Sequence, residues 1–164
     1  MRIPLGALVL APLALWLVGD AQAQRVRIEV VSVTTQAKPH DTAPKGKPNK
    51  GDSIVFKDLL MNSKNQFGKA IGKAVAYDQG TIVYTSATET TMKVTAIFPG
   101  VGTLRFGGPF RTKHGVTVLP VTGGTGAFKG ATGTVTIGSG ATRAPNIYVL
   151  QIPHAFDLHA TGVA

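Results

Sequence analysis

Beyond its apolar N-terminus, no stretch of this chain sustains a helical period. Apolar and β-branched residues come instead in short runs broken by glycine and proline. Runs of that kind, with turn signals about every ten residues, build an all-β sandwich or barrel. Strands are predicted at 26–33, 54–60, 67–77, 81–85, 92–98, 103–106, 116–121, 133–137 and 146–152, with a last one at 155–158. Turns or loops are read at Asp78-Gln79-Gly80, Pro99-Gly100, Gly107-Gly108-Pro109 and Gly123-Gly124-Thr125-Gly126. Residues 36–51 carry Pro39, Pro44 and Pro48 with lysines between them, and read as a mobile basic loop. The pattern alone leaves sandwich and barrel both open. Closing about eight strands removes the exposed edges and leaves room for one small ligand.

The N-terminus points to a compartment. Arg2 precedes an apolar run over residues 5–18, and Ala21-Gln22-Ala23 puts small residues where a signal peptidase reads. Residues 1–23 therefore read as a secretory signal, cleaved after Ala23. The run is shorter than the roughly 20 residues that span a bilayer. Residues 24–164 form one expected domain, with no later segment apolar enough to cross a membrane as a helix. The expectation is a secreted or periplasmic protein. The chain has no cysteine, which excludes thiol catalysis and Cys-ligated metal sites.

Seventeen Lys and Arg against eight Asp and Glu give a formal net charge of +9. The cations are dispersed except for Lys38, Lys45, Lys47 and Lys50, which have no aromatic residue among them. Single-strand nucleic-acid binders interleave aromatics with their basic groove, so no nucleic-acid partner is expected. A solvated basic face meeting an anionic envelope surface fits better.

Familiar chemical motifs fail on inspection. The segment from Gly123 to Gly130 lacks the third glycine of a dinucleotide loop, since Lys129 stands there, and a strand follows it. Gly68 to Ala74 is too short for a phosphate loop. His40, His114, His154 and His159 have no metal-ligand spacing, and no metal is expected.

The glycine segment matches something else. Val121-Thr-Gly-Gly-Thr-Gly-Ala-Phe-Lys-Gly-Ala-Thr-Gly133, followed by an alternating strand, resembles the signature of the allene oxide cyclase barrel family. Plant dirigent proteins share that barrel. Further blocks agree in order: the Gly51-Asp52 strand, the Gly-rich stretch 68–76, the Gly-containing hairpin 101–110 and the closing strand 146–150. The resemblance spans residues 51–152 well and 26–35 weakly. It implies an antiparallel eight-stranded barrel with an apolar cavity, often homo-oligomeric. It also implies cofactor-free steering of a small hydrophobic molecule through cyclisation or coupling.

Aligned by motif, Glu29 falls at the family's cavity glutamate, Asp58 at an asparagine that helps hold water, and Asp78 at a cysteine near the cavity. These three are the candidate catalytic residues. A carboxylate inside an apolar barrel has a raised pKa and serves as a base or charge stabiliser. Each has a plainer reading. Glu29 alternates with Ile28 and Val30 and is merely solvated if their face lines the cavity. Asp58 pairs with Lys57 or caps a turn, and Asp78 is a turn residue beside Gln79-Gly80. Tyr84 and Phe98 read as core, and Arg105 as exterior. Several family positions differ: Val31, Pro99-Gly100-Val101 and Lys129-Gly130 replace an asparagine, a tyrosine and an arginine. Two functions stay open: a ligand-binding barrel that directs cyclisation or coupling, and a non-catalytic envelope binding or assembly module on the same barrel.

Overall fold

A computed structural model describes residues 23–110, 115–139 and 145–159. Residues 1–22 of the expected signal and His114 lie outside the described residues. Eight strands follow in chain order: β1 (Gln24–His40), β2 (Ser53–Asn62), β3 (Ala74–Tyr84), β4 (Thr90–Phe98), β5 (Gly102–Phe110), β6 (Gly115–Gly126), β7 (Thr132–Ser139) and β8 (Asn146–Ile152). Each pairs antiparallel with its chain neighbours, and β1 pairs with β8 to close the barrel. The described residues contain no helix. The alternation that left sandwich or barrel open is resolved by that last ladder, in which Val26 faces Leu150 and Ile28 faces Tyr148.

Strand alternation sorts the side chains. Val26, Ile28 and Val30 of β1, Leu60 of β2, Ala96 and Phe98 of β4, Leu104 and Phe106 of β5, Leu119 of β6 and Val135 of β7 all point inward and are buried. One end of the barrel carries the loops 63–73, 99–101 and 127–131 and the tail 153–159. There the aromatic rings interlock: Phe98 lies 5.1 Å from Phe67, 5.2 Å from Phe128 and 6.2 Å from Tyr148, and Phe128 lies 5.4 Å from Phe156. Tilted and edge-on contacts at such distances are favourable for aromatic quadrupoles. Phe67 holds a left-handed φ of 56°, and its N–H donates to the Leu158 carbonyl at 2.6 Å. Loop and tail thus seal this end together. Toward the other end the inward residues Ile54, Phe56, Ile82, Thr117 and Ile137 are only half-buried.

Several elements differ from expectation. β1 runs on through Pro39 to His40, paired with β2, so only part of the 36–51 segment is loop. That loop is organised by Asp52, which accepts from the Thr42 N–H (2.7 Å), the Thr42 hydroxyl (2.5 Å) and the Asn49 N–H (2.8 Å). The bonds with Thr42 and Asn49 hold the Asp52 carboxyl below its usual range. Residues 67–73 are loop, not strand, and 155–158 form no strand. Asp78-Gln79-Gly80 is no turn: it sits in the middle of β3. Gly80 is required by packing there, because a Cβ would lie 2.6 Å from Phe56 Cζ and 2.7 Å from the Lys93 carbonyl oxygen. Gly107-Gly108-Pro109 likewise continues β5, and Gly123–Gly126 continues β6. A Cβ on Gly124 would come within 2.2 Å of the Phe128 carbonyl oxygen.

Candidate functional site

Inward alternation on β2 and β3 brings Asp58 and Asp78 into the lumen directly opposite each other. Directly paired residues on neighbouring strands have Cβ atoms about 5 Å apart. Around them Thr34 stands opposite Asp58 on β1, Ala96 stands opposite Asp78 on β4, and Leu60 and Ala76 follow toward the sealed end. Asp78 is 3% exposed. Burial, reinforced by the charge of Asp58, pushes its carboxyl up to about 7, against a weaker opposing bond from the Asp58 backbone. Burial also raises Asp58, and a hydrogen bond from the Thr34 side chain partly offsets this.

Sequence reasoning assigned no role to Tyr148. It is fully buried on β8, its ring 5.7 Å edge-on from Phe106. Burial and the negative charges of Asp78 and then Asp58 raise its phenol well above the usual range. It therefore stays neutral and able to donate. One oxygen on each of Asp58 and Asp78 and the Tyr148 hydroxyl are buried without a hydrogen-bond partner within the protein. Buried polar groups left unpaired cost stability, and they concentrate where a protein does chemistry. The only hint in the chain was parity: Tyr148 shares its inward face with Asn146, Leu150 and Ile152.

Glu29 takes the other course. Ile28 and Val30 own the lumen face, so Glu29 points outward, opposite Ile147. Its carboxylate accepts from Lys64 Nζ at 2.7 Å and Arg27 Nε at 2.6 Å. Those bonds, from Lys64 and then Arg27, hold its pKa below the usual value. Gln66 clamps the Glu29 backbone, donating to its carbonyl at 2.8 Å and accepting from its N–H at 3.0 Å. The expected cavity position of Glu29 is thereby corrected: it latches the 63–73 loop to the barrel wall. Of the three sequence candidates, the fold brings Asp58 and Asp78 together and leaves Glu29 outside.

Phe98 is core as expected, Tyr84 is half-buried and Arg105 is exposed on the outer wall. His154 Nε2 hydrogen-bonds the Ala127 carbonyl oxygen at 2.9 Å. Among the described residues no cluster of His, Asp and Glu is arranged to hold a metal. What the lumen can offer is proton chemistry: a carboxyl that both gives and takes a proton near neutral pH, a second carboxyl beside it, and a neutral phenol close enough to feel both charges.

A closed eight-stranded barrel with this glycine-rich β6 has relatives. The dirigent-like protein family matches residues 20–153. The chain belongs to that family. Among solved structures, a pyocyanin demethylase superposes on this dirigent-like barrel with a TM-score of 0.65 at 24% identity, over 77% of this chain and 100% of that one. A pterocarpan synthase dirigent protein gives 0.57 at 18% identity, over 89% and 99%. A nonspecific heme-binding cyclase that catalyses a cycloaddition in neoabyssomicin biosynthesis gives 0.62 at 16% identity, over 82% and 68%. No match was found among curated proteins. At these identities the structural neighbours establish the barrel fold.

Proposed function

We propose that this dirigent-like barrel takes a small, conjugated hydrophobic molecule into its lumen and steers its cyclisation or coupling without a cofactor. The half-buried inner wall of Ile54, Phe56, Ile82 and Ile137 shapes the molecule. Asp78 moves a proton to or from it, and Tyr148 steadies negative charge that develops on an oxygen. One observation carries this reading: two carboxyls and a phenol, buried on the inner wall, keep oxygens that no protein group satisfies. Two structural neighbours support it, one a pterocarpan synthase of the dirigent type and the other a cyclase. Export is part of the proposal and rests on the N-terminal pattern; β1 begins at Gln24, directly after the expected cleavage site.

A second reading has its own observation. The interlocked rings around Phe98 fill the sealed half of the barrel, which suits a non-catalytic binding or assembly module. Native mass spectrometry after incubation with a lipid and metabolite extract separates the two. A retained apolar molecule whose binding or conversion changes in Asp78→Asn but not in Glu29→Gln supports the active lumen. A barrel that stays empty across several extracts favours the second reading.

A further inference from the structure

A groove of about 700 Å³ crosses β2 to β6; outward residues make most of its lining, and the inward-facing Phe56, Met92, Val94 and Phe106 of the same strands complete it. Its lining follows from the ladders. Lys57, Gln79, Thr95 and Arg105 stand side by side on consecutive strands. In the adjoining outward row, Val55, Thr81, Lys93 and Gly107 stand side by side. At about 4.8 Å per strand, Lys57 and Arg105 mark the ends of a track about 14 Å wide, with Lys93 between them in the next row.

Three features give this groove a chemistry. Lys57, Lys93 and Arg105 are exposed, and no acidic residue lines the groove. Among the described residues the only ion pairs are those of Glu29, far along the wall, so these three cations are uncommitted. Gly123 holds a place for Arg105: a Cβ there would sit 2.9 Å from the guanidinium Nη2. Between the cations stand hydroxyl and amide groups, Gln79, Thr81, Thr91 and Thr95, with Thr122 at the edge. The outward row also continues onto β1, where Lys38 stands opposite Val55 and leads to the loop carrying Lys45, Lys47 and Lys50.

We propose that this outer groove binds an acidic polysaccharide. Spaced cations meet its carboxylates or sulfates, and the threonine and glutamine side chains between them meet its hydroxyls. Tyr77 is exposed on the outer wall two residues from Gln79, and one such ring is a poor platform for stacking successive nucleic-acid bases. Independence from the lumen follows from geometry, because Lys57 and Gln79 point away from the barrel interior that their neighbours Asp58 and Asp78 enter.

The test uses the purified protein with polygalacturonate, neutral dextran, a single-stranded DNA oligonucleotide and phosphatidylglycerol vesicles as probes. Polygalacturonate binds with a strong salt dependence and dextran does not. Lys57→Gln/Lys93→Gln/Arg105→Gln weakens polygalacturonate binding roughly ten-fold or more, as three exposed charge contacts predict. Gln79→Ala/Thr81→Ala, which leaves the charge unchanged, weakens it further. Circular dichroism melts confirm that each variant is folded. The proposal is overturned if the triple variant binds as the parent does, if only replacing Lys45, Lys47 and Lys50 abolishes binding, or if DNA or vesicles bind more tightly than polygalacturonate.

Discussion

At the scale of single residues, the lumen carboxyls set a pH signature. Asp78 has its proton affinity raised on folding, from 3.8 to about 7. Between those values the folded state binds more protons than the unfolded one, so its contribution favours folding fully below about pH 4 and is lost as pH rises through 7. Asp78→Asn, which mimics the neutral acid, is expected to raise stability at pH 8 by about 2–4 kcal/mol and to change little at pH 4. Urea denaturation at the two pH values measures this. The same variant loses any proton transfer at the lumen. Glu29 has the opposite sign: its depressed pKa contributes stability above about pH 4.5 that is lost in acid. Glu29→Gln should cost about 1 kcal/mol at pH 7 and leave ligand retention unchanged. A loss of retention in that variant would return Glu29 to the site.

Among the elements, β3 and β6 show how glycine misleads a reading made along the chain. Asp78-Gln79-Gly80 and Gly123-Gly124-Thr125-Gly126 have the composition of turns, yet both lie inside strands. Gly80 is bare because the Phe56 ring covers it from the facing position on β2, and Gly124 because the 127–131 turn folds back onto it. Gly80→Ala is expected to destabilise by about 1–3 kcal/mol, since the Phe56 ring and the Lys93 backbone would both have to move. Gly46→Ala, where nothing lies within 4 Å of a Cβ but φ is +82°, should cost about 1 kcal/mol through backbone strain alone. Paired thermal melts compare them; equal losses would show that space at Gly80 is not the constraint.

For the whole molecule, closure and plugging govern stability. The β1–β8 ladder joins the first and last strands, so every contact that shuts the barrel is distant in sequence, and slow folding follows from such topology. Phe98 sits at the centre of the aromatic seal, 1% exposed and touching Phe67, Phe128 and Tyr148. Phe98→Ala should cost about 3–5 kcal/mol in urea unfolding, by lost burial and the cavity left behind. A cost below about 1 kcal/mol would mean that the sealed end collapses around the gap.

The chain by itself was enough to establish an all-β fold, because short alternating runs cannot bury their apolar faces as helices. Its glycine signature and ordered blocks were enough to point to an eight-stranded barrel of the allene oxide cyclase and dirigent type. It also carried both lumen carboxylates, Asp58 and Asp78, as candidates. Direction was what it lacked. Whether Glu29 or Ile28 faces inward depends on which face the closed sheet turns to the core, a choice that alternation leaves two-fold until β1 meets β8. Tyr148 joins the carboxyls only because closure carries β8 around to β1, and the row of Lys57, Gln79, Thr95 and Arg105 exists only as a register across four strands. Such neighbours are set by pairing between distant segments, which local sequence does not encode.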